Sequence, residues 1–244
     1  SAGMNYIVIP AYQPDNKLIK LIERIHEKSN FHILVIDDGS SSKCQNIFDK
    51  AEEYATVLRH QVNQGKGQAL KTAFAYIQKQ NSYGTVVTAD ADGQHKIWDI
   101  FRTANKASEN PNKLILGVRA FTGKVPLRSR FGNSLTKALF KLQTGVGVTD
   151  TQTGLRAFTT NLIPFMLKIE GQRYEYEMNM LLEATKEYQI LEVPIETVYI
   201  NDNEGSHFRP IRDGLMIYKN IFKFALSSLS SFVVDYLVYA IAIL

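Results

Sequence analysis

The sequence predicts an α/β fold with a mostly parallel central sheet. Short apolar segments, among them "NYIVIPAY", "FHILVIDDGSSS" and "YGTVVTADADG", alternate with segments whose apolar residues recur at helical spacing. Strands that alternate with amphipathic helices form parallel sheets with right-handed crossovers. Such sheets bind ligands beyond the carboxyl ends of their strands, where "PAY", "IDDGSSS" and "DADGQH" would converge on one crevice.

The first half of the chain is predicted to contain four strands and three helices. The first strand is an apolar run that ends at Pro10, and the helix after it has apolar residues at 18, 19, 21, 22 and 25. Serines after the second strand are suited to cap the second helix, and a glycine-containing turn leads into the third. The strands with their terminal turns are 5–12, 31–42, 56–60 and 83–93, and the helices are 15–29, 43–55 and 63–80.

After Lys113 the alternation is less regular. The segment "KLILGVRAF" predicts a strand, and 127–145 predicts a helix with apolar residues at 131, 135, 138, 139 and 142. A further helix is expected at 173–188, followed by one or two strands within 190–200. The sequence contains no internal repeat and no low-complexity linker.

Length and composition indicate one folded domain, alone or with an appendage. The chain has 244 residues, of which 45% are hydrophobic, so it is not of disordered composition. Cys44 is the single cysteine, which excludes an internal disulfide and is compatible with a reducing cytosol. Residues 1–3 resemble a tag remnant and are set aside, which leaves an expected catalytic domain at 4–220. No nucleic-acid-binding motif is present, so a nucleic-acid partner is not expected.

The C-terminal segment predicts a membrane helix. Residues 224–244 carry one charge, Asp235, and are long enough to cross a bilayer core of about 30 Å. A buried amphipathic helix is the alternative interpretation. Four serines and the aspartate make the segment poorly suited to cross a bilayer as a single, unpartnered helix. We therefore expect 221–244 to be the start of a longer, truncated membrane domain. Basic residues precede it, which by the positive-inside rule predicts a cytoplasmic catalytic domain; they are Arg209, Arg212, Lys219 and Lys223.

Basic residues are concentrated in the middle of the chain. Between Asn110 and Thr149 there are seven Lys or Arg and no Asp or Glu. This stretch is either a solvated basic face or a surface that contacts phosphates on a ligand or a membrane.

The acidic turn "DADGQH" suggests a metal–diphosphate site. Asp90 and Asp92 follow a buried strand, and in the turn beyond it their carboxylates can converge on one cation, with Gln94 adding a neutral oxygen. Hard oxygen ligands without His or Cys favour Mg²⁺ or Mn²⁺, which complete their shells with substrate phosphates. An Asp-rich turn that caps a helix is the alternative, as it is for Asp37 and Asp38, whose carboxylates could otherwise bind a base or a ribose. The P-loop and the NAD fingerprint are both missing.

Six motifs in order extend this interpretation: "PAY", "VIDDGSSS", "NQGKGQAL", "TADADGQH", "GVRAF" and "DTQTGLRAF". Together, over about residues 5–215, they resemble family 2 glycosyltransferases of the glycosyltransferase A (Rossmann-like) fold. The resemblance is strongest to the polyprenyl-phosphate glycosyltransferases, which include dolichol-phosphate mannose synthase and GtrB-like enzymes. The tail from Ile221 resembles the start of a GtrA-like membrane domain. The resemblance implies inverting, metal-dependent transfer from a nucleotide sugar to a polyprenyl phosphate.

The resemblance also implies roles for individual residues. Metal binding falls to Asp92, Gln94 and Asp90, of which Asp92 is also counted as catalytic and Asp90 would also lie by the ribose or diphosphate. Phosphate binding and catalysis involve Arg119 and Arg130. The set for the acceptor phosphate is Arg119, Arg128, Arg130 and His207. The set for the nucleotide sugar is Pro10, Ala11, Tyr12, Asp15, Ile36, Asp38, Gly65, Lys66, Ala89, Asp90 and Ala91.

Two positions depart from the family pattern. Gln13, Pro14 and Asp15 stand where the family often has Asn-Glu, so Asp15 is the candidate to replace the glutamate. Ser206 is followed by His207 where dolichol-type enzymes have lysine, which replaces a fixed charge by a titratable one.

The expected function is transfer of a hexose to undecaprenyl or another polyprenyl phosphate at the cytoplasmic membrane face, in cell-envelope glycosylation. UDP-glucose is the first expectation for the donor, before UDP-GlcNAc and GDP-mannose. Asp150 is a further catalytic candidate that would face the acceptor; a purely structural role in its turn is the alternative. A transferase with a soluble polysaccharide acceptor, a noncatalytic membrane-recruitment module and a sugar-1-phosphate nucleotidyltransferase are the rival functions. A homo-oligomer is left open.

Overall fold

The protein is described here from a computed structural model that covers residues 3–119, 127–196 and 210–243, with the backbone alone at 127–133, 210–217 and 220. The strands are β1 Tyr6–Ala11, β2 His32–Asp38, β3 Thr56–His60, β4 Thr85–Thr88, β5 Lys113–Arg119, β6 Arg156–Thr159 and β7 Gln189–Ile195. The α-helices are α1 Asn16–Lys28, α2 Gln45–Ala51, α3 Lys66–Lys79, α4 Ile97–Glu109, α5 Leu127–Thr144, α6 Ile163–Lys168, α7 Glu175–Glu187 and α8 Pro210–Ile243.

The strands form a single seven-stranded sheet in the order β3-β2-β1-β4-β6-β5-β7. All neighbouring strands are parallel except at β6, which runs antiparallel to both β4 and β5. The mostly parallel α/β sheet predicted from the sequence is therefore confirmed. Because β5 and β7 run in the same direction as β4, the carboxyl ends of all six strands other than β6 lie at one edge of the sheet, which we call the carboxyl edge.

Helices cover both faces of the sheet, and each face has its own apolar core. One core contains Phe74 and Phe158, whose rings meet edge to face with centroids 5.3 Å apart. The other contains the buried face of α1, made of the predicted apolar positions Leu18, Ile22 and Ile25. Burial on both faces explains why the strands are continuous apolar runs rather than alternating ones.

The sequence analysis missed α4, β6 and α6. Helix α4 begins two residues after the acidic turn, and three of its six buried residues are alanine or threonine, which weakens its apolar pattern. Strand β6 has four residues, Arg156–Thr159, and begins with a buried arginine, so it carries no strand signal by composition. Part of the predicted late-strand region, 197–200, lies outside the described residues.

Helix α8 begins against the domain and continues away from it. Tyr218, Ile221 and Phe224 pack against the core below α5 and α7, and Gln143 Nε2 donates to Ser228 Oγ at 3.3 Å. Within the part of the chain that is described, one segment, Ile221–Ile243, is long and apolar enough to cross a membrane, and its most apolar part is not buried against the domain. This contradicts the alternative of a buried amphipathic helix.

Candidate active site

The loops after β1 and β2 are joined at the carboxyl edge. Gln13, which adopts a left-handed backbone conformation with φ of 49°, donates its N–H to Ser40 Oγ at 2.9 Å. Its side-chain oxygen accepts the N–H of Ser41 at 3.0 Å. Since β4 lies on the other side of β1, the three segments expected to converge do lie on adjacent strands.

Asp38 fixes the loop between β3 and α3. The carboxylate is buried, and it accepts hydrogen bonds from Asn63 Nδ2, Gln64 N and Gly65 N at 2.8–3.0 Å. It also lies 2.9 Å from His60 Nδ1, which is a donor in one tautomer. Four partners hold this carboxylate, so the geometry favours a role in shaping the site, and its predicted contact with a nucleoside stays a prediction.

Gly65 allows this loop to pack closely on the turn before α7. Its φ is +104°, and a Cβ at this position would lie 2.4 Å from both Gln172 O and Arg173 Cγ. Arg173 also donates to Asn63 Oδ1 at 2.8 Å. The loop that carries Lys66 to the carboxyl edge is thus clamped from two sides.

Asp90 is engaged through both of its carboxylate oxygens. Lys66 Nζ lies 2.9 Å from Oδ1, and His95 Nε2 lies 3.1 Å from Oδ2. Burial opposes ionisation of Asp90, but the Lys66 ammonium and His95 outweigh it and hold the pKa of this carboxyl well below its usual range. Both oxygens of Asp90 thus already have a partner, which makes Asp90 less available to a cation than a carboxylate with an unoccupied oxygen.

Lys66 also contacts a residue outside the predicted set. Its ammonium lies 2.8 Å from Glu177 Oε1 on α7. Burial lowers the pKa of Lys66, but the charges of Asp90 and Glu177 raise it above its ordinary value, so the side chain is a fixed cation between two carboxylates.

Asp92 is the more available carboxylate of the acidic turn. One of its oxygens accepts the N–H of Gln94 at 3.0 Å, as in an ordinary Asx turn. Burial, followed by the nearby charge of Asp90, raises the pKa of Asp92, so its negative charge is poorly compensated in the folded protein. A bound cation would relieve that cost.

The described residues contain no cluster of three or more His, Cys, Asp or Glu side chains arranged to hold a metal. A hard cation such as Mg²⁺ takes one or two carboxylates and completes its shell with substrate phosphates and water, so it needs no such cluster. The half-buried, undercompensated carboxylate of Asp92 beside Gln94 fits this mode of binding.

Arg119 and Asp150 form a two-point ion pair at the end of β5. Arg119 Nε and Nη2 donate to the two oxygens of Asp150 at 2.7 and 3.1 Å. Asp150 is fully buried, and it also accepts the N–H of Gln152 at 3.1 Å. The geometry therefore favours the structural alternative for Asp150, in which it fixes Arg119 rather than facing an acceptor.

The loop 150–155 connects this ion pair to the acidic turn. Thr153 Oγ1 donates to Gly117 O on β5 at 2.6 Å, while Thr88 Oγ1 on β4 donates to Gly154 O at 2.9 Å. The backbone of Gly154 lies against the Asp90 carboxylate. Arg119 and Asp90 thus lie at one edge of the sheet, on either side of a single loop.

The remaining predicted residues fall into three groups. Ile36, Ala11 and Ala89 are buried, so a ligand could reach the two alanines through the backbone, whereas Ile36 is part of the core. Pro10, Tyr12 and Ala91 are half-buried around the crevice. The side chain of Asp15, 61% exposed, accepts the N–H of Lys17 and caps α1, a local role for the residue predicted to replace a family glutamate.

The predicted acceptor residues are only partly described. Arg128 and Arg130 lie in the first turn of α5, close in sequence to the end of β5, but their side chains are outside the described part. His207 lies outside the described residues altogether.

Sequence reasoning missed Glu177 and Arg156 as parts of this site. Arg156, which is 1% exposed, donates to the carbonyl oxygens of Thr153 and Glu177 at 2.9 and 2.6 Å. It therefore ties the loop 150–155 to α7. Arg156 lies within the quoted motif "DTQTGLRAF", which was the signal available for it. Glu177 lies far in sequence from the acidic turn, and its charge near the start of a predicted helix was the available signal.

Comparison with known proteins identifies the family. The sequence profile of glycosyl transferase family 2 matches residues 6–166, more than half of the chain. The chain belongs to glycosyl transferase family 2. This family 2 chain is 29% identical over 217 residues to a UDP-N-acetylglucosamine–dolichyl-phosphate N-acetylglucosaminyltransferase of Methanococcus voltae, covering 80% of the chain and 85% of the relative. It is 26% identical to a dolichyl-phosphate beta-glucosyltransferase of Saccharomyces cerevisiae, covering 88% and 72%.

A solved structure confirms the glycosyltransferase A fold of this family 2 chain. Glucosyl-3-phosphoglycerate synthase from Mycobacterium tuberculosis, in complex with Mn²⁺, UDP and glucosyl-3-phosphoglycerate, superposes with a TM-score of 0.67 and 17% identity. The match covers 93% of this chain and 80% of the synthase. The same synthase has also been solved with Mg²⁺ and UDP.

Proposed function

We propose that this chain transfers a hexose, with inversion, from a nucleotide sugar to a polyprenyl phosphate at the cytoplasmic face of a membrane. One observation carries the proposal: the acidic turn of Asp90 and Asp92 and the Arg119–Asp150 pair lie at one edge of the sheet, joined by the loop 150–155. An anionic site for a cation and its diphosphate would thus adjoin Arg119, which could contact a second phosphate. Both relatives named above are transferases to dolichyl phosphate, which is a polyprenyl phosphate.

The donor half of the site is assigned to the acidic turn. Asp92 and Gln94 would hold Mg²⁺ or Mn²⁺, the two ions found with UDP in the M. tuberculosis synthase. When bound, the ion supplies electrostatic stabilisation of the negative charge that develops on the leaving diphosphate. The Lys66 ammonium contacts Asp90 and would keep the Asp90 carboxylate ionised and in place beside Asp92.

The acceptor half is assigned to the end of β5. A phosphate monoester is largely ionised at neutral pH, because its second pKa is about 6, and its oxygen needs no strong general base. In the proposed reaction this oxygen attacks the anomeric carbon while the bond from that carbon to the diphosphate breaks. Arg119 would orient the acceptor phosphate together with Arg128, Arg130 and His207, and Asp150 would act as a positioning residue for the guanidinium of Arg119.

The membrane assignment follows from α8 and its neighbour α5. Helix α8 leaves the domain beside α5, at the Gln143–Ser228 hydrogen bond. Close to this point, Leu135 and Leu142, which share one face of α5, are 42% and 84% exposed. Helical spacing places this face next to the flank that contacts α8, so both apolar surfaces would meet the same bilayer.

The nucleotide and the sugar are part of the proposal. We place UDP-glucose first, since UDP accompanies the ion in the solved synthase and one relative is a glucosyltransferase. UDP-GlcNAc, the donor in the name of the M. voltae relative, is second, and GDP-mannose is third.

A donor screen tests the proposal. The full chain in detergent is incubated with undecaprenyl phosphate, Mg²⁺ or Mn²⁺, and each of the three nucleotide sugars, and lipid-linked sugar is detected by mass spectrometry. One donor should give product that depends on both the lipid and the ion. Turnover of the donor with a soluble saccharide, and none with the lipid, would instead support the rival with a polysaccharide acceptor.

A further inference from the structure

Glu177 lies behind the acidic turn, on a helix that none of the six sequence motifs includes. It belongs to the first turn of α7, and its Oε1 lies 2.8 Å from Lys66 Nζ. The same ammonium lies 2.9 Å from Asp90 Oδ1. Lys66 is therefore held between a carboxylate of the predicted metal turn and a carboxylate of α7.

Packing alone does not explain why the Glu177 carboxylate is buried. The residue is 8% exposed, and its Oε2 has no hydrogen-bond partner within the described residues. Its closest cationic neighbour on that side is Arg156, with Nε 3.9 Å from Oε2. A buried carboxylate with one unpaired oxygen is costly, and an apolar residue would pack α7 at lower cost. The position thus calls for a role beyond packing, one that uses the side-chain oxygen that contacts Lys66.

Lys66 is close enough to Asp92 for its position to matter there. The ammonium lies 2.9 Å from Asp90 Oδ1, and Asp92 lies two residues further along the same turn. If Lys66 were free to turn from its present place, Asp92 is the other carboxylate of the turn with which it could pair. An ammonium paired with Asp92 would compete directly with a divalent cation for the same oxygens.

We propose that Glu177 is a positioning residue of the donor site, which holds the Lys66 ammonium on Asp90 and so leaves Asp92 open to the divalent cation. The fixed backbone of Glu177, whose carbonyl oxygen accepts from Arg156 Nη1 at 2.6 Å, makes it a rigid anchor for Lys66. This inference rests on the proposed function, because it assumes that Asp92 binds the ion that accompanies the donor.

The test is the affinity for Mn²⁺ in the presence of UDP, measured by isothermal titration calorimetry on the full chain in detergent. Glu177→Ala should weaken Mn²⁺ binding by about 10-fold or more, the usual effect of losing a residue that supports a metal ligand. Glu177→Gln, which still offers an oxygen to Lys66 at the same distance, should stay within a few-fold of wild type. Glu183→Ala is the matched control on α7, since Glu183 pairs with Lys186 at the surface, and it should change nothing.

Thermal unfolding shows whether each variant is folded, and the affinity for Mn²⁺ of a folded variant then tests the positioning role. A folded Glu177→Ala variant that binds Mn²⁺ as tightly as wild type would overturn the inference, whatever its melting temperature. If Glu177→Ala does not fold, Glu177→Asp is the deciding variant. Its shorter side chain keeps the charge but cannot reach Lys66 from the same backbone position. Wild-type affinity of Glu177→Asp for Mn²⁺ would also overturn the inference. If wild type itself binds neither Mn²⁺ nor UDP, the donor site of the proposed function is wrong, which is a distinct outcome.

Discussion

The backbone of Gly154 lies directly against the carboxylate of Asp90: a Cβ added to Gly154 would lie 2.4 Å from Oδ1 and 2.7 Å from Oδ2 of Asp90. Real Cβ atoms do not approach other atoms so closely, so only glycine permits this contact. The loop 150–155 thereby forms one wall of the acidic turn. Asp90 is enclosed by this wall, by Lys66 and by His95.

Gly154→Ala should therefore displace Asp90 and weaken the donor site. We expect the affinity for Mn²⁺ with UDP to fall by about 10-fold, as for other residues that support a metal ligand. Gly147→Ala, in the same region but with no atom within 4 Å of the added Cβ, is the matched control. Equal affinities of the two variants would contradict the close approach of Gly154 to Asp90.

Asp92→Asn should weaken Mn²⁺ binding without lowering the stability of the fold. The variant should lose Mn²⁺ affinity by more than about 100-fold, because a ligand rather than its support is changed. In metal-free buffer at neutral pH its melting temperature should be equal to or above that of wild type. The reason is that the pKa of Asp92 is raised on folding, so its ionised form disfavours the folded state, and asparagine removes that charge.

Chelation provides the control for this prediction. Excess EDTA should lower transfer by wild type to the level of Asp92→Asn, and Mg²⁺ or Mn²⁺ should restore it in wild type alone. Full turnover in excess EDTA would contradict the assignment of Asp92 as a metal ligand.

The parts of this molecule that could be predicted from sequence are those encoded locally. Strands β1 and β2 are apolar runs, and the acidic turn is contiguous, so their positions followed from periodicity and their convergence from the common direction of parallel strands. The wall of the site was not predictable, because Gly154 meets Asp90 through the antiparallel insertion of β6, and no local pattern marks that strand. For the same reason Glu177, which reaches Asp90 only through Lys66, was not found.

The Arg119–Asp150 pair should be asymmetric in its effect on stability. Asp150 is fully buried, whereas the Arg119 side chain is 21% exposed. Asp150→Asn should lower the free energy of unfolding by about 1.5–3 kcal/mol, the range for hydrogen bonds to charged groups. Arg119→Ala should cost more, because it leaves a buried carboxylate without its cation. Urea unfolding measures both.

Arg59→Ala is the control for an ion pair at the surface. Arg59 pairs with Asp49 and Glu52 on exposed positions, and its loss should cost at most about 1 kcal/mol. If the cost of Arg119→Ala is no larger than this, the pair does not have the structural role assigned to it.

Both Arg119→Ala and Asp150→Asn should also raise the KM for polyprenyl phosphate more than that for the nucleotide sugar.

The exposed apolar face of α5 should contribute to membrane binding. Leu142→Glu, at a position 84% exposed, should weaken binding of the chain to anionic phospholipid vesicles in a flotation assay, since it places a negative charge where an apolar side chain meets the bilayer. Tyr83→Glu, at a residue 59% exposed just before β4 and away from the carboxyl edge, is the control and should bind as wild type does.

Removal of the undocked part of α8 should have a larger effect. A chain that ends at Ser231 keeps the packing of Tyr218, Ile221, Phe224 and Ser228 and should fold, but it should no longer float with vesicles. Its affinity for Mn²⁺ with UDP should be unchanged, because the acidic turn follows β4, the middle strand of the sheet, and Asp90 is held there by Lys66 and His95 rather than by α8. Continued flotation of the shortened chain would show that α8 is not the membrane anchor.

The central claim is that the acidic turn and the Arg119–Asp150 pair serve one transfer reaction on a lipid phosphate. The most direct measurement is the incorporation of radiolabelled glucose from UDP-glucose into undecaprenyl phosphate in vesicles by wild type, Asp92→Asn and Arg119→Ala, with Mn²⁺ present. Wild type should produce lipid-linked glucose and either variant little, while Arg119→Ala still binds Mn²⁺ and UDP. Equal incorporation by wild type and both variants would contradict it.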